Sequence, residues 1–331
     1  MSESSAAQFQ APVIFPPSAL ETFVLEDTVP GPYLLFDLRG DPGDPRHAAW
    51  LRSQPFPVLG LVRPNDSNPL ADACDVLASS VDALSSTIAN ITHAPLAAAL
   101  LVETLRVTEN MPATDALAVE SLAYATLQTG PDFRRWIATR KASRRRPPSN
   151  EPPLITSREG NRMCLTLNRP KSRNAVSIEM RDALVEAFSL AALDPDIETV
   201  DVFANGACFS VGGDLSEFGS VPNPAEGHLI RMQRLPARAL LPVAARTVFH
   251  LHGACIGAGV ELPAFARHVV ARPNTFFQLP EIHLGLIPGA GGCVSLPRRI
   301  GRQRTAYLAL SARRISARTA LGWRLIDEIT R

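Results

Sequence analysis

Three stretches of the chain combine acidic and small residues in patterns that could do chemistry. Two are turns that follow strand-like runs, Cys208-Phe-Ser-Val-Gly-Gly-Asp214 and Gly253-Ala-Cys-Ile-Gly-Ala-Gly-Val-Glu261. Residues without bulk at such turns let the backbone approach a ligand and aim its N–H groups at it. Two converging N–H groups, one at a helix start, can hold the oxygen of a developing enolate. Tight packing at a strand-to-helix turn explains the same glycines, so both readings stand on composition alone. The third stretch, Phe277-Gln-Leu-Pro-Glu-Ile-His-Leu-Gly-Leu-Ile-Pro-Gly-Ala-Gly-Gly292, sets Glu281 between a strand and a Gly/Pro-rich loop.

Other constellations carry less. His250 and His252 alternate along one strand and could face one metal, but no third ligand is spaced to join them, and packed or hydrogen-bonded histidines are expected on a strand that reads as buried. Cys208 and Cys255 adjoin the turns without a partner base, so packing explains them better than nucleophilic catalysis. Gly289-Ala-Gly-Gly292 lacks the Lys-Ser/Thr of a phosphate loop.

The elements that must position these residues fall into two groups. Tyr33 to Leu38 and Phe56 to Val62 read as strands, ended by the breakers at Gly40 to Pro45 and Arg63 to Pro69. From Leu70 to Lys141 the pattern is helical, with Leu77, Val81, Leu84, Ile88 and Ile91 on one stripe and Pro95 and Pro112 at helix starts; three or four helices are predicted. Arg144-Arg-Arg-Pro-Pro-Ser-Asn-Glu-Pro-Pro153 is a proline-rich connector, its arginines a solvated helix end rather than a nucleic-acid contact. After Leu154 the pattern alternates. Met163 to Leu167, Val200 to Phe203 and Thr247 to Leu251 read as strands, and Val176 to Leu193 as an amphipathic helix capped by Ser177. Alternation of this kind indicates an α/β architecture.

Composition sets outer limits. The chain has 331 residues, 46% hydrophobic, and 33 basic against 32 acidic side chains for a net charge of +1. That balance argues against a protein held to nucleic acid or an anionic membrane by gross charge. Five scattered cysteines without a CxxC pair read as small hydrophobes in a reducing compartment. The N-terminus has no basic or sustained apolar signal region, and the most apolar run, Pro95 to Val102, is far short of the ~20 residues a bilayer span needs. A cytoplasmic location is expected.

From about Leu165 to Ile329 the sequence resembles the enoyl-CoA hydratase/isomerase (crotonase) superfamily. The resemblance rests on Leu167-Asn-Arg-Pro-Lys-Ser-Arg-Asn-Ala175, Phe209-Ser-Val-Gly-Gly-Asp-Leu215, Gly257-Ala-Gly-Val-Glu261, the Phe277 to Gly292 stretch and Arg314-Ile-Ser-Ala-Arg-Thr-Ala-Leu-Gly322. It implies an α/β fold with a crotonase-like ββα spiral core and a lyase that hydrates a trans-2-enoyl-CoA in fatty acid metabolism. It implies that Gly213 N–H and Ala258 N–H hold the thioester oxygen, and that Glu261 and Glu281 are the two hydratase glutamates. Relatives resembling isomerases usually keep only the Glu281 position. Ala175, Ser210, Gly213, Asp214 and Leu215 would line the coenzyme A site, with Lys171 and Arg173 near its phosphates. The resemblance implies no permanently bound cofactor, since the substrate carries coenzyme A; it implies no metal and a homo-oligomer, trimeric or a multiple. The rival readings are an isomerase or other acyl-CoA enolate chemistry, and a non-catalytic acyl-CoA-binding scaffold subunit.

Three features depart from the family pattern. Pro263 follows Glu261 where the family continues a helix, and Arg267 stands where Asp is common. The family's core runs on into a helical tail that has no counterpart after Leu325 to Ile329, whereas Val81 to Ser143 resembles that tail. The expected organisation is therefore a poorly ordered segment 1–29, a degenerate crotonase-like and mainly helical region 30–143, a linker 144–153 and a catalytic core 154–331. An unrelated helical domain is the alternative for the second of these.

Overall fold

The computed structural model describes residues 11–26, 31–41, 43–63, 67–140, 150–221 and 223–330. They form two compact units, Met1–Leu84 and Ser85–Arg331. Of the expected disordered segment, 1–10 and 27–29 lie outside the described residues, as does most of the linker; the rest of 1–29 contains a helix, Ala19–Glu26.

The first unit is built on three parallel strands, Leu34–Asp37, Val58–Leu61 and Val76–Ala78, in that order. Leu34, Phe36, Val58 and Leu70 are buried together with Leu20 and Leu51 from helices Ala19–Glu26 and Ala48–Ser53. The third strand corrects the helical stripe expected to begin at Leu77. The Asp75 carboxylate accepts the Val58 N–H at 2.8 Å just before it, and three residues are too few to show a period of two.

The second unit carries a six-stranded sheet in the order Glu328–Ile329, His268–Ala271, Thr247–Leu251, Thr199–Ala204, Arg162–Leu167, Leu154–Glu159, parallel except for the last strand. Met163, Leu165 and Leu167 point inward on alternate positions against helix Ile178–Leu193, which buries Met180, Leu184, Phe188 and Ala191 at steps of four, four and three. Ser177 caps that helix, its hydroxyl accepting the Met180 N–H. A smaller sheet joins Ala254–Ile256, Phe276–Gln278 and Ile315–Ser316, and its strands lead into the Glu261 and Glu281 segments.

Helices from the N-terminal side of the connector belong to this second unit. Pro95–Thr108 buries Ala98, Leu101 and Leu105 and packs on helices Gly292–Ile300 and Arg302–Ser311. Ala113–Gln128 packs on Gly292–Ile300 and on Pro224–Arg234, and Pro131–Thr139 on the turn Glu281–Leu284. Asn90 Nδ2 donates to Leu310 O at 2.8 Å and Arg298 Nη2 to Met111 O at 2.6 Å. Region 30–143 is therefore not one body: contacts divide it at Leu84, because the apolar faces of its helices are buried by residues beyond the connector.

Candidate active site

The two glycine-rich turns lie side by side. Ser210 N–H donates to Ala254 O at 3.2 Å and Ile256 N–H to Ser210 O at 3.0 Å, so the first turn runs along the strand leading into the second. A Cβ at Gly212 would stand 2.8 Å from Ile256 O, and its φ of +85° suits glycine. Val176 is bridged by Gly212 O and the Asp214 N–H, which leaves Gly213 N–H between them. Among the described hydrogen bonds neither Gly213 N–H nor Ala258 N–H, at the first residue of the short helix Ala258–Glu261, has an acceptor.

Both glutamates reach this place. A Cβ built on Gly257 would stand 2.7 Å from Glu281 Oε1 and 3.9 Å from Glu261 Oε1, so the two carboxyl groups converge on one point beside Ala258. Glu261 is buried, and its Oε2 accepts the N–H groups of Ala290 (2.7 Å) and Gly292 (2.8 Å). Burial pushes its carboxyl up to about 7 against the pull of those two donors. Glu281 Oε2 is buried with no hydrogen-bond partner among the described residues. Burial, and then the charge of Glu261, hold Glu281 well above the usual carboxylate range. A carboxylate ready to accept a proton thus faces a carboxylic acid ready to give one.

The residues expected around coenzyme A sit on the loop beside the first turn. Asn174 is buried at positive φ and ties that loop down: its Oδ1 accepts Arg169 N–H at 2.8 Å, and its Nδ2 donates to Asn205 O and Cys208 O. Ala175 is buried there, while Lys171 and Arg173 are exposed. The Ser210 hydroxyl is used internally, donating to Asn174 O at 2.7 Å and accepting Gly212 N–H. Asp214 holds the next turn through Ser216 N–H and Oγ, and Leu215 is half exposed. Arg140, at the end of helix Pro131–Thr139, donates from Nη1 to Leu215 O and Phe218 O, both at 2.8 Å.

Sequence reasoning overlooked three contributors. Glu120 on helix Ala113–Gln128 is buried, and its oxygens accept Gly291 N–H and Cys293 N–H at 2.8 Å each. Burial and the charge of Glu261 raise its carboxyl well above the usual range. One turn along, the Tyr124 ring lies against Gly289, where a Cβ would stand 2.4 Å from Cδ2. Arg231 stacks on the same ring, its guanidinium carbon 4.7 Å from the Tyr124 centroid, and donates from Nε to Ser121 Oγ. The signal was a glutamate and a tyrosine four residues apart on the buried face that also carries Leu117 and Ser121.

The departures at Pro263 and Arg267 prove local. Pro263 opens a 3-10 turn, Pro263–Phe265, and the Glu261 carbonyl that a continuing helix would have bonded accepts the Ser295 hydroxyl at 2.8 Å. Arg267 is exposed, and its N–H donates to Ala244 O at 2.8 Å. His250, half-buried rather than buried, bonds Asp201 Oδ1 at 2.6 Å and stacks on Phe203, while His252 Nε2 pairs with Gly206 O at 3.0 Å. Among the described residues no cluster of His, Cys, Asp or Glu could hold a metal ion. No single described helix is long and apolar enough to cross a membrane.

Comparison with known proteins bears on the same segment. A family model described as enoyl-CoA hydratase/isomerase matches residues 158–331. A 2,3-dehydroadipyl-CoA hydratase of Escherichia coli is 36% identical over 179 residues, covering 53% of this chain and 68% of that protein. A trans-2-decenoyl acyl-carrier-protein isomerase of Streptococcus mutans is 31% identical, covering 50% and 64%. The crystal structure of an enoyl-CoA hydratase of Mycobacterium smegmatis superposes with a TM-score of 0.50 at 31% identity, over 54% of this chain and 70% of that one. One from Thermoplasma volcanium does so with 0.50 at 29% identity, over 54% and 72%. The chain spans 68%, 64% and 59% of the length of three curated relatives it matches. Glu120 and Tyr124 precede the 158–331 match.

Proposed function

Because the chain belongs to the enoyl-CoA hydratase/isomerase family, whose name makes an acyl-CoA thioester the substrate class, we propose that it is a hydratase-like lyase acting on a trans-2-enoyl-CoA. The observation that carries this reading is the convergence of the Glu261 and Glu281 oxygens beside Gly257, next to an N–H group without an acceptor. An isomerase needs only one group to move a proton between two carbons. Hydration needs a base for water and an acid for carbon, and two carboxyl groups of unlike surroundings supply both.

In this mechanism Gly213 N–H and Ala258 N–H hold the thioester oxygen. The Glu261 carboxylate, anchored through Oε2, takes a proton from water at Oε1 as the water oxygen bonds to C3. The electrons of the double bond move through C2 onto the thioester oxygen, where the two N–H groups stabilise them. Glu281 then gives its proton to C2 and the thioester carbonyl re-forms. One proton returning from Glu261 to Glu281 restores the starting state. Coenzyme A enters with the substrate, held along Ala175 and Asp214 to Leu215 with Lys171 and Arg173 toward its phosphates, so the chemistry calls for no resident cofactor.

The test is the full chain with crotonyl-CoA, followed by loss of the conjugated thioester absorbance. Steady loss supports the lyase. Binding without loss of absorbance contradicts it and favours a scaffold; activity only on a 3-enoyl-CoA favours the isomerase.

A further inference from the structure

Resting on that reading of the site, the geometry points to Glu120 as its positioning residue: a carboxylate from helix Ala113–Gln128 that holds the 290–293 turn and, through it, the Glu261 carboxylate. The four N–H groups of that turn alternate between two acids. Ala290 and Gly292 donate to Glu261 Oε2, and Gly291 and Cys293 donate to Glu120 Oε1 and Oε2. Gly291 has φ +108°, a conformation that glycine permits and that turns its N–H away from its neighbours' acceptor. Two anchors on one side and two on the other leave the turn a single orientation, and Glu261 is aimed at Gly257 only in that orientation.

Each side of the clamp depends on the other. All the donors on the Glu120 side are buried, and removing their acceptor strands N–H groups away from water. The turn would then rotate to find new partners and take the Glu261 contacts with it. Glu120 is 1% exposed, so water cannot replace it without rearrangement. It does not reach the point beside Gly257 where the Glu261 and Glu281 oxygens meet; it acts through the backbone.

The charged and titratable groups around Glu261 are Glu281 on its own turn, Glu120 and Tyr124 from helix Ala113–Gln128, Cys293 from helix Gly292–Ile300, and Arg231 from helix Pro224–Arg234, whose charge acts on Glu120 and Tyr124. The Ala290 and Gly292 N–H groups hold the Glu261 carboxyl below where burial alone would put it, so a turn that rotates away from Oε2 lets it rise.

The experiment compares full-length wild type, Glu120→Gln and Glu120→Asp. Glutamate carboxyls are labelled with carbon-13, and the Glu261 resonance is assigned by its loss in Glu261→Gln. Its titration midpoint is followed by NMR alongside kcat and KM with crotonyl-CoA and the melting temperature. Gln has one acceptor oxygen for two donors. Glu120→Gln is expected to raise the Glu261 midpoint by about one pH unit and to cut kcat ~10- to 100-fold while KM stays within about threefold. Glu120→Asp keeps the carboxyl but not the reach, and should raise the midpoint and lower kcat in the same direction. A folded Glu120→Gln with unchanged midpoint and kcat overturns the proposal, as does a variant that loses only melting temperature. Should Glu120→Gln fail to fold, Glu120→Asp with wild-type kcat overturns it equally. A wild type that binds but does not hydrate crotonyl-CoA sinks the hydratase reading alone, since the titration still judges Glu120.

Discussion

Glu120 and Glu261 divide four consecutive backbone N–H groups between them, Glu261 using one oxygen for two donors and Glu120 one oxygen for each. The difference decides how each tolerates an amide. In Glu261→Gln the single carboxamide oxygen can take the place of Oε2 and keep both donors; in Glu120→Gln an NH2 group must face one of the buried N–H groups.

Glu261→Gln should therefore be at least as stable as wild type at neutral pH. The folded-state carboxyl titrates near 7, above its unfolded value. Below about 4.5 both states are protonated and the variant gains nothing. As pH rises toward 7 the wild type bears a growing cost for keeping the group buried, which the amide escapes. Melting temperatures at pH 4, 6 and 8 should show the gap opening in favour of the variant; a gap that closes over this range would contradict the assignment.

Gly289→Ala should cost about 1–3 kcal/mol, because its Cβ would lie 2.4 Å from Tyr124 Cδ2. In a Tyr124→Leu background the same change should cost less by about 1 kcal/mol, a coupling expected of residues in contact. Denaturant unfolding of the four proteins checks it, and simple additivity would count against the packing described.

How far such contacts were legible in the sequence varied by element. Thr247–Leu251 is legible to the residue, and Ser177 is legible as a cap, because alternation and capping are local signals. Val76–Ala78 is not legible as a strand: its pairing partner Val58–Leu61 is distant in sequence, and three residues carry no period. The two carboxylates stood out beside glycine turns, where bulk and charge are unusual. Glu120 did not, for it sits mid-helix, where glutamate is an ordinary surface residue and only tertiary packing turns it inward. The connector misled domain division for the same reason, since helices upstream of it bury their apolar faces on residues beyond it.

Arg140→Ala should weaken acyl-CoA binding about 3- to 10-fold with kcat nearly unchanged. It removes the two hydrogen bonds that fix Leu215 O and Phe218 O next to the first turn, and touches neither carboxylate. Substrate titrations separate KM from kcat; a fall in kcat at constant KM would put Arg140 in a different role.

Ala258→Pro deletes one of the two N–H groups without changing the carboxylates. Proline is tolerated at the first residue of a helix, and Ala258 holds that place. Loss of one such donor typically costs about 3–4 kcal/mol of transition-state stabilisation, so turnover should drop ~100- to 1,000-fold in a folded protein. Normal turnover would show that the thioester oxygen is held elsewhere.

The most direct measurement compares hydration of crotonyl-CoA by wild type, Glu261→Gln and Glu281→Gln, with binding of the CoA ester measured in parallel. If the two groups serve one water and one carbon from the shared point beside Gly257, each variant should lose at least ~100-fold in kcat while binding the ester nearly as well as wild type. Undiminished hydration by either variant would contradict the account.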